Sequence, residues 1–190
     1  MRVCVAGVQV PFSTGGAEIL VRSLARELTA RGFETETVFV PFTWKDRVQL
    51  FKSCLAWRLL DLSVVEGKKI DLLIATRFPS YLLKHPNKVV WLVHQLRQIY
   101  DLHGTGYSDF QDTPRDRRVI EMLKAMDVRT LSEARRLYAI SGNVGARLAR
   151  FTGLAAETLY PPPQTTPLLH PGPYGDYVFT VGRLDAIKRF

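Results

Sequence analysis

The chain has 190 residues, 46% of them hydrophobic and 23% charged, which excludes a disordered or fibrous protein and allows one full domain and the start of a second. A formal net charge of +8 and a pI near 9.7 favour an anionic partner: a nucleotide, a nucleic acid, a phospholipid headgroup or an acidic saccharide. Cys4 and Cys54 make no disulfide framework, which suits a reducing cytoplasm, and no apolar run approaches the ~20 residues of a membrane span.

Val3, Val5, Ala6 and Val8 predict a first strand, apolar and β-branched as in a parallel sheet covered on both faces. A loop ending in Ser13-Thr14-Gly15-Gly16 leads to a helix from about Ala17. There Leu20, Leu24 and Leu28 share one face, Glu18 suits the helix dipole, and Gly32 closes the C-terminus. Thr35 to Val40 forms the next strand, so the unit is β-α-β with a right-handed crossover. Gly15 and Gly16 carry two readings. They bring backbone N–H groups close to an anion at the helix N-terminus, or they relieve a tight turn.

Trp44 to Glu66 reads as helical, in one or two pieces, with two apolar faces. Trp44, Val48, Phe51, Leu55, Leu59 and Leu62 make the first; Leu50, Trp57, Leu60 and Val64 lie nearly opposite. Either the helix is buried on both sides, or the second face rests on an anionic bilayer with Trp57 at the interface.

Ile70 to Ala75 and Lys88 to Val93 predict two more strands. His94 follows the second, on the edge where parallel sheets gather ligands, and so on the side of the glycine pair. It is either a satisfied structural histidine or a ligand contact. Asp101 to Pro114 reads as a polar loop over that edge, a lid or an acceptor contact. Arg117 to Arg136 is expected to be helical, Leu137 to Ile140 a strand, and Ser141 the N-cap of a helix stopped by Gly153. Arg135, Arg136, Arg147 and Arg150 read as solvated helix faces. Thr158 to Tyr160 is a last short strand. A proline-rich tract from Pro161 then reads as a stiff linker, and Tyr177 to Val181 as the first strand of another domain.

Four features stand in order: the glycine-pair loop, the histidine after a later strand, an S-x-N-V-x-x-R-L helix followed by Y-P-P-P, and V-G-R-L-D-x-x-K-R at the end. Together they resemble the glycosyltransferases of family 4, which have the GT-B fold, and the resemblance covers essentially the whole chain. It implies an α/β protein whose Rossmann-like, mostly parallel sheet carries helices on both faces. Residues 1–160 would be the acceptor-side domain, 161–175 the interdomain linker and 176–190 the start of a donor-binding domain.

The resemblance further implies sugar transfer with retention from a nucleotide sugar to a saccharide or lipid-linked acceptor, as in cell-surface polysaccharide synthesis. No cofactor or metal is expected, and the sequence has no Asp-x-Asp motif. Gly15, Gly16, Arg183 and Lys188 would contact the donor diphosphate, and His94 would be the catalytic residue beside the transferred sugar. The family's pair of donor-domain glutamates would fall beyond Phe190, so the chain alone is expected not to catalyse transfer. The protein is expected in the cytoplasm, with a peripheral contact to the membrane's inner face as an option.

Other readings fit less well. A nicotinamide enzyme wants G-x-G-x-x-G at the first turn and an acidic residue ending the second strand, and this chain has neither. A GT-B epimerase would be decided by sequence beyond Phe190. Nucleic-acid binding is not expected, because the basic residues are scattered and no nucleic-acid motif is present.

Overall fold

The computed structural model describes residues 1–163 and 168–182. Its centre is a six-stranded, all-parallel sheet. The strands are β1 (Arg2–Gln9), β2 (Glu34–Pro41), β5 (Leu72–Arg77), β6 (Lys88–His94), β7 (Arg136–Ala139) and β8 (Glu157–Thr158), in the order β2-β1-β5-β6-β7-β8. Strands β3 (Val64–Val65) and β4 (Lys68–Lys69) form a separate hairpin. The helices are α1 (Gly16–Ala30), α2 (Arg47–Leu59), α3 (Pro114–Ser132) and α4 (Gly142–Thr152).

Burial follows the two faces of the sheet. Val3 and Val5 point to the face covered by α1, packing with Val21, Leu24 and Leu28. Cys4, Ala6 and Val8 point to the other face, where α2, α3 and α4 contribute Leu50, Leu123 and Leu148 to a larger core. This alternation in a run apolar at nearly every position is what a doubly covered parallel strand requires. The fold is thus Rossmann-like, with helices on both faces.

Several elements begin or end for local reasons. Gly32 (φ 85°) and Gly153 (φ 73°) take the left-handed conformation just past α1 and α4. The Ser141 side chain accepts the N–H of Val144, as an N-cap should. Helix α3 starts earlier than expected, because Thr113 accepts from the N–H of Asp116 and Pro114 takes the first helical position. It also ends earlier. Arg135 N–H is already bonded to the Lys88 carbonyl at the entry to β7.

The Trp44–Glu66 stretch departs most from expectation. Helix α2 stops at Leu59, since the Asp61 carboxylate accepts the N–H of Ser63 and turns the chain. Val64 belongs to the hairpin, whose turn places Glu66 and Gly67 both at positive φ, the geometry of a type I′ connection. The phase of α2 corrects the bilayer reading. Leu50 and Trp57 are fully buried, whereas Val48, Leu55 and Leu59 are exposed. The face chosen for a membrane is the face that builds the core, so Trp57 meets no bilayer. No helix among the described residues is long and apolar enough to cross a membrane.

Tyr177 to Val181 forms no strand; these side chains stand in solvent.

Candidate functional site

The chain reverses direction across the sheet between β1 and β5: from β1 it moves outward to β2, and from β5 it moves the other way through β6, β7 and β8. Crevices open at such points beyond the C-terminal strand ends. A cleft of ≈ 450 Å³ lies there. Gly15 and Gly16 enter it from the loop after β1, and Phe42 and Trp44 from the turn after β2. Arg77 comes from the end of β5, and His94 and Gln98 from the end of β6. The two glycines and His94, far apart in sequence, thus share one cavity.

The geometry of the glycines removes one of their two readings. Gly15 is extended (φ −128°, ψ −175°) and Gly16 opens the helix, so neither needs a left-handed backbone. A Cβ on Gly16 would meet nothing within 4 Å, and one on Gly15 would meet only Glu18 Oε2, at 3.3 Å. The turn therefore does not require them. What they leave clear is the approach to the start of α1 from the cleft.

That helix N-terminus is half satisfied from within. Gly15 N–H donates to Glu18 Oε2 at 2.9 Å, and Arg77 donates to Glu18 Oε1 and to the Val8 carbonyl. Glu18 is buried and ties the glycine loop to the end of β5. In the sequence Glu18 suits the helix dipole; the signal for its second role is a glutamate at the third helical position, the capping-box spacing. Among the described residues no hydrogen bond reaches the N–H of Gly16 or Ala17. These two donors lie at the positive end of the helix dipole, an arrangement that suits an anion.

His94 Nδ1 lies 2.8 Å from the Gln95 carbonyl oxygen, which can only accept. Nδ1 therefore carries the proton, and Nε2, an acceptor, has no hydrogen bond among the described residues. Burial holds the imidazole below its ordinary pKa; the Gln95 contact opposes this, and Arg77, Arg147 and Arg97 lower it further. His94 is neutral at pH 7. It is poised to accept a hydroxyl hydrogen, not to donate a proton.

Arg97 grips Asp101 through Nε (2.9 Å) and Nη2 (2.6 Å), and Arg147 reaches the same carboxylate at 3.6 Å. Two cations on one anion leave a net positive charge beside His94. Arg147 is a correction: its side chain is only 12% exposed, so it belongs to this cluster and not to a solvated helix face.

The polar loop from Asp101 to Pro114 is pinned at its base. Phe110 is buried beneath the Arg47 guanidinium, 3.6 Å from its ring centre. Arg47 in turn bonds the Asp109 carbonyl and the Asp116 carboxylate, which also accepts from Gln111 N–H. Contact with Arg47 holds the Asp116 carboxyl below its usual range despite partial burial. Asp116→Ala is expected to speed amide hydrogen exchange at Phe110 and Gln111 at least about tenfold, since a charge-assisted bond worth ~1.5 kcal/mol or more is lost. Unchanged exchange would show that Arg47 and Asp116 do not hold the loop.

Arg183 and Lys188, the other expected diphosphate contacts, lie outside the described residues. No protein-family model matches this chain, and no curated protein matches it.

Proposed function

We propose that this chain forms the acceptor-side wall of a retaining GT-B glycosyltransferase similar to family 4, using a nucleotide sugar as donor and no metal. The observation that supports it is a glycine pair with no steric or conformational need of its own, opening a switch-point cleft onto two helix N–H groups that have no partner among the described residues. Sugar transfer builds negative charge on the departing diphosphate. The N–H groups of Gly16 and Ala17 would stabilise that charge as it develops, with Arg183 and Lys188 as partners from the donor side. The neutral His94 would accept a hydroxyl of the transferred sugar through Nε2 and so orient it.

The test is titration of the ¹⁵N-labelled chain with inorganic pyrophosphate. Amide shifts are expected at Gly16 and Ala17. Gly16→Ala should weaken the response at least about tenfold, the loss of a charge-assisted hydrogen bond, because its methyl group enters the approach path. The same change should leave stability unchanged or raise it by about 0.4–1 kcal/mol, since the backbone there suits alanine. Pyrophosphate binding that ignores Gly16→Ala would defeat the proposal.

A further inference from the structure

Resting on that reading, we propose that the cleft holds a second anion site beside His94, on Arg97 backed by Arg147, which takes the carboxylate of an acidic sugar. The first observation is an imbalance of charge. Arg97 and Arg147 share one counter-ion, the Asp101 carboxylate, and among the described residues no other carboxylate pairs with either. Glu18, the acid that lines the cleft, is held by Arg77. The Arg147 side chain is largely buried, and its guanidinium makes no hydrogen bond among the described residues; its one ion contact is Asp101 Oδ2 at 3.6 Å. A desolvated guanidinium with half a counter-ion is costly, and a further anion relieves that cost.

The second observation is the donor set that Arg97 keeps in reserve. Arg97 lines the cleft, and its side chain is 38% exposed. Asp101 takes only one side of the guanidinium, with Nε and Nη2 both donating to Oδ2. A guanidinium has five N–H donors, so three remain: two on Nη1 and one on Nη2. The Nη1–Nη2 edge is a second planar fork, the shape that receives a carboxylate through two parallel bonds. Asp101 also fixes the side chain, so little ordering cost falls on binding. Arg147 touches Asp101 and does not line the cleft. It is a positioning residue: it takes part of the Asp101 charge and leaves Arg97 under-neutralised. One excess positive charge matches the single charge of a carboxylate, whereas a neutral sugar would leave it uncompensated.

The experiment titrates the ¹⁵N-labelled chain with methyl glucuronide, methyl glucoside and inorganic phosphate, read at the Arg97 Nε–H and the His94 amide. Methyl glucuronide is expected to bind at least about tenfold more tightly than methyl glucoside, the worth of a charge-assisted contact. Arg97→Gln should abolish that preference. Arg147→Met should cut it about threefold, and Arg147→Lys, which keeps the charge, should preserve it. If Arg147→Met does not fold, Arg97→Gln decides alone. Three outcomes overturn the site: equal binding of glucuronide and glucoside, a preference that survives Arg97→Gln, or phosphate moving Arg97 while glucuronide is silent. The pyrophosphate shift at Gly16 should survive Arg97→Gln; its loss would make the two anion sites one and overturn the proposal as well. A glucuronide response with Gly16 silent to pyrophosphate supports the second site and counts against the diphosphate reading; the reverse pattern counts against the second site alone.

Discussion

Trp57→Ala is expected to lower the free energy of unfolding by about 3–5 kcal/mol, whereas Leu55→Ser, on the same helix, should change it by less than about 0.5 kcal/mol. Trp57 is completely buried and Leu55 is 56% exposed. Removing the indole leaves a cavity in the core shared with Leu50, Cys54 and Tyr81, and a well-packed core collapses only partly into such a space. Trp57→Phe should recover most of the loss. The ring volume is largely kept, and the indole Nε1, buried without a hydrogen-bond partner among the described residues, is removed. Urea unfolding of the three variants, with unchanged denaturant slope, measures this. A larger effect from Leu55→Ser than from Trp57→Ala would place the opposite face of α2 against the sheet.

That helix also shows where sequence reading stops. Its period is plain, but its two apolar sets are both plausible core faces. The choice belongs to partners contributed from elsewhere: β2 and the turn at Ser80–Leu82, against which α2 packs. Nothing within Arg47–Leu59 encodes that choice. Strand β1 presented no such ambiguity, because both of its faces are covered and every phase is apolar. The site divides along the same line. Gly15, Gly16 and His94 were legible because strand ends of a parallel sheet share one edge. Arg147 was not: it owes its place in the cluster to a carboxylate, Asp101, supplied by an irregular loop whose path no periodicity predicts. Glu18 lies between these cases. Its spacing to Gly15 is a local signal, but its pairing with Arg77 is tertiary.

Asp127→Asn is expected to remove a pH dependence of stability worth on the order of 4 kcal/mol between about pH 4 and 7. Asp127, on α3, is fully buried and accepts hydrogen bonds from Tyr81 (2.9 Å), Tyr100 (2.8 Å) and, at 3.5 Å, Gln95. Burial pushes its carboxyl up to about 7, against the downward pull of Tyr100, Tyr81 and Gln95. The folded value therefore lies above the unfolded one, near 3.9, and the folded state binds the proton more tightly. Its contribution is fully present below the unfolded value and is lost as pH rises through the folded one. Asparagine stays neutral throughout. The stability of the parent chain minus that of Asp127→Asn should accordingly shrink as pH rises from about 4.5 to 7.5. His94 works in the opposite direction. Its folded value is lowered, so its contribution is present above its unfolded value and lost as pH falls. Glu133, held down to about 2 chiefly by Arg58, also loses its contribution in acid. Both groups are common to the two proteins and cancel in the difference, which isolates Asp127. A difference constant across this range would mean that Asp127 carries the same proton folded and unfolded. Since Tyr100 and Gln95 flank the segment that follows His94, the same carboxyl anchors the edge of the cleft. Its titration should then appear as pH-dependent amide shifts at Gln95 and Tyr100 that Asp127→Asn abolishes.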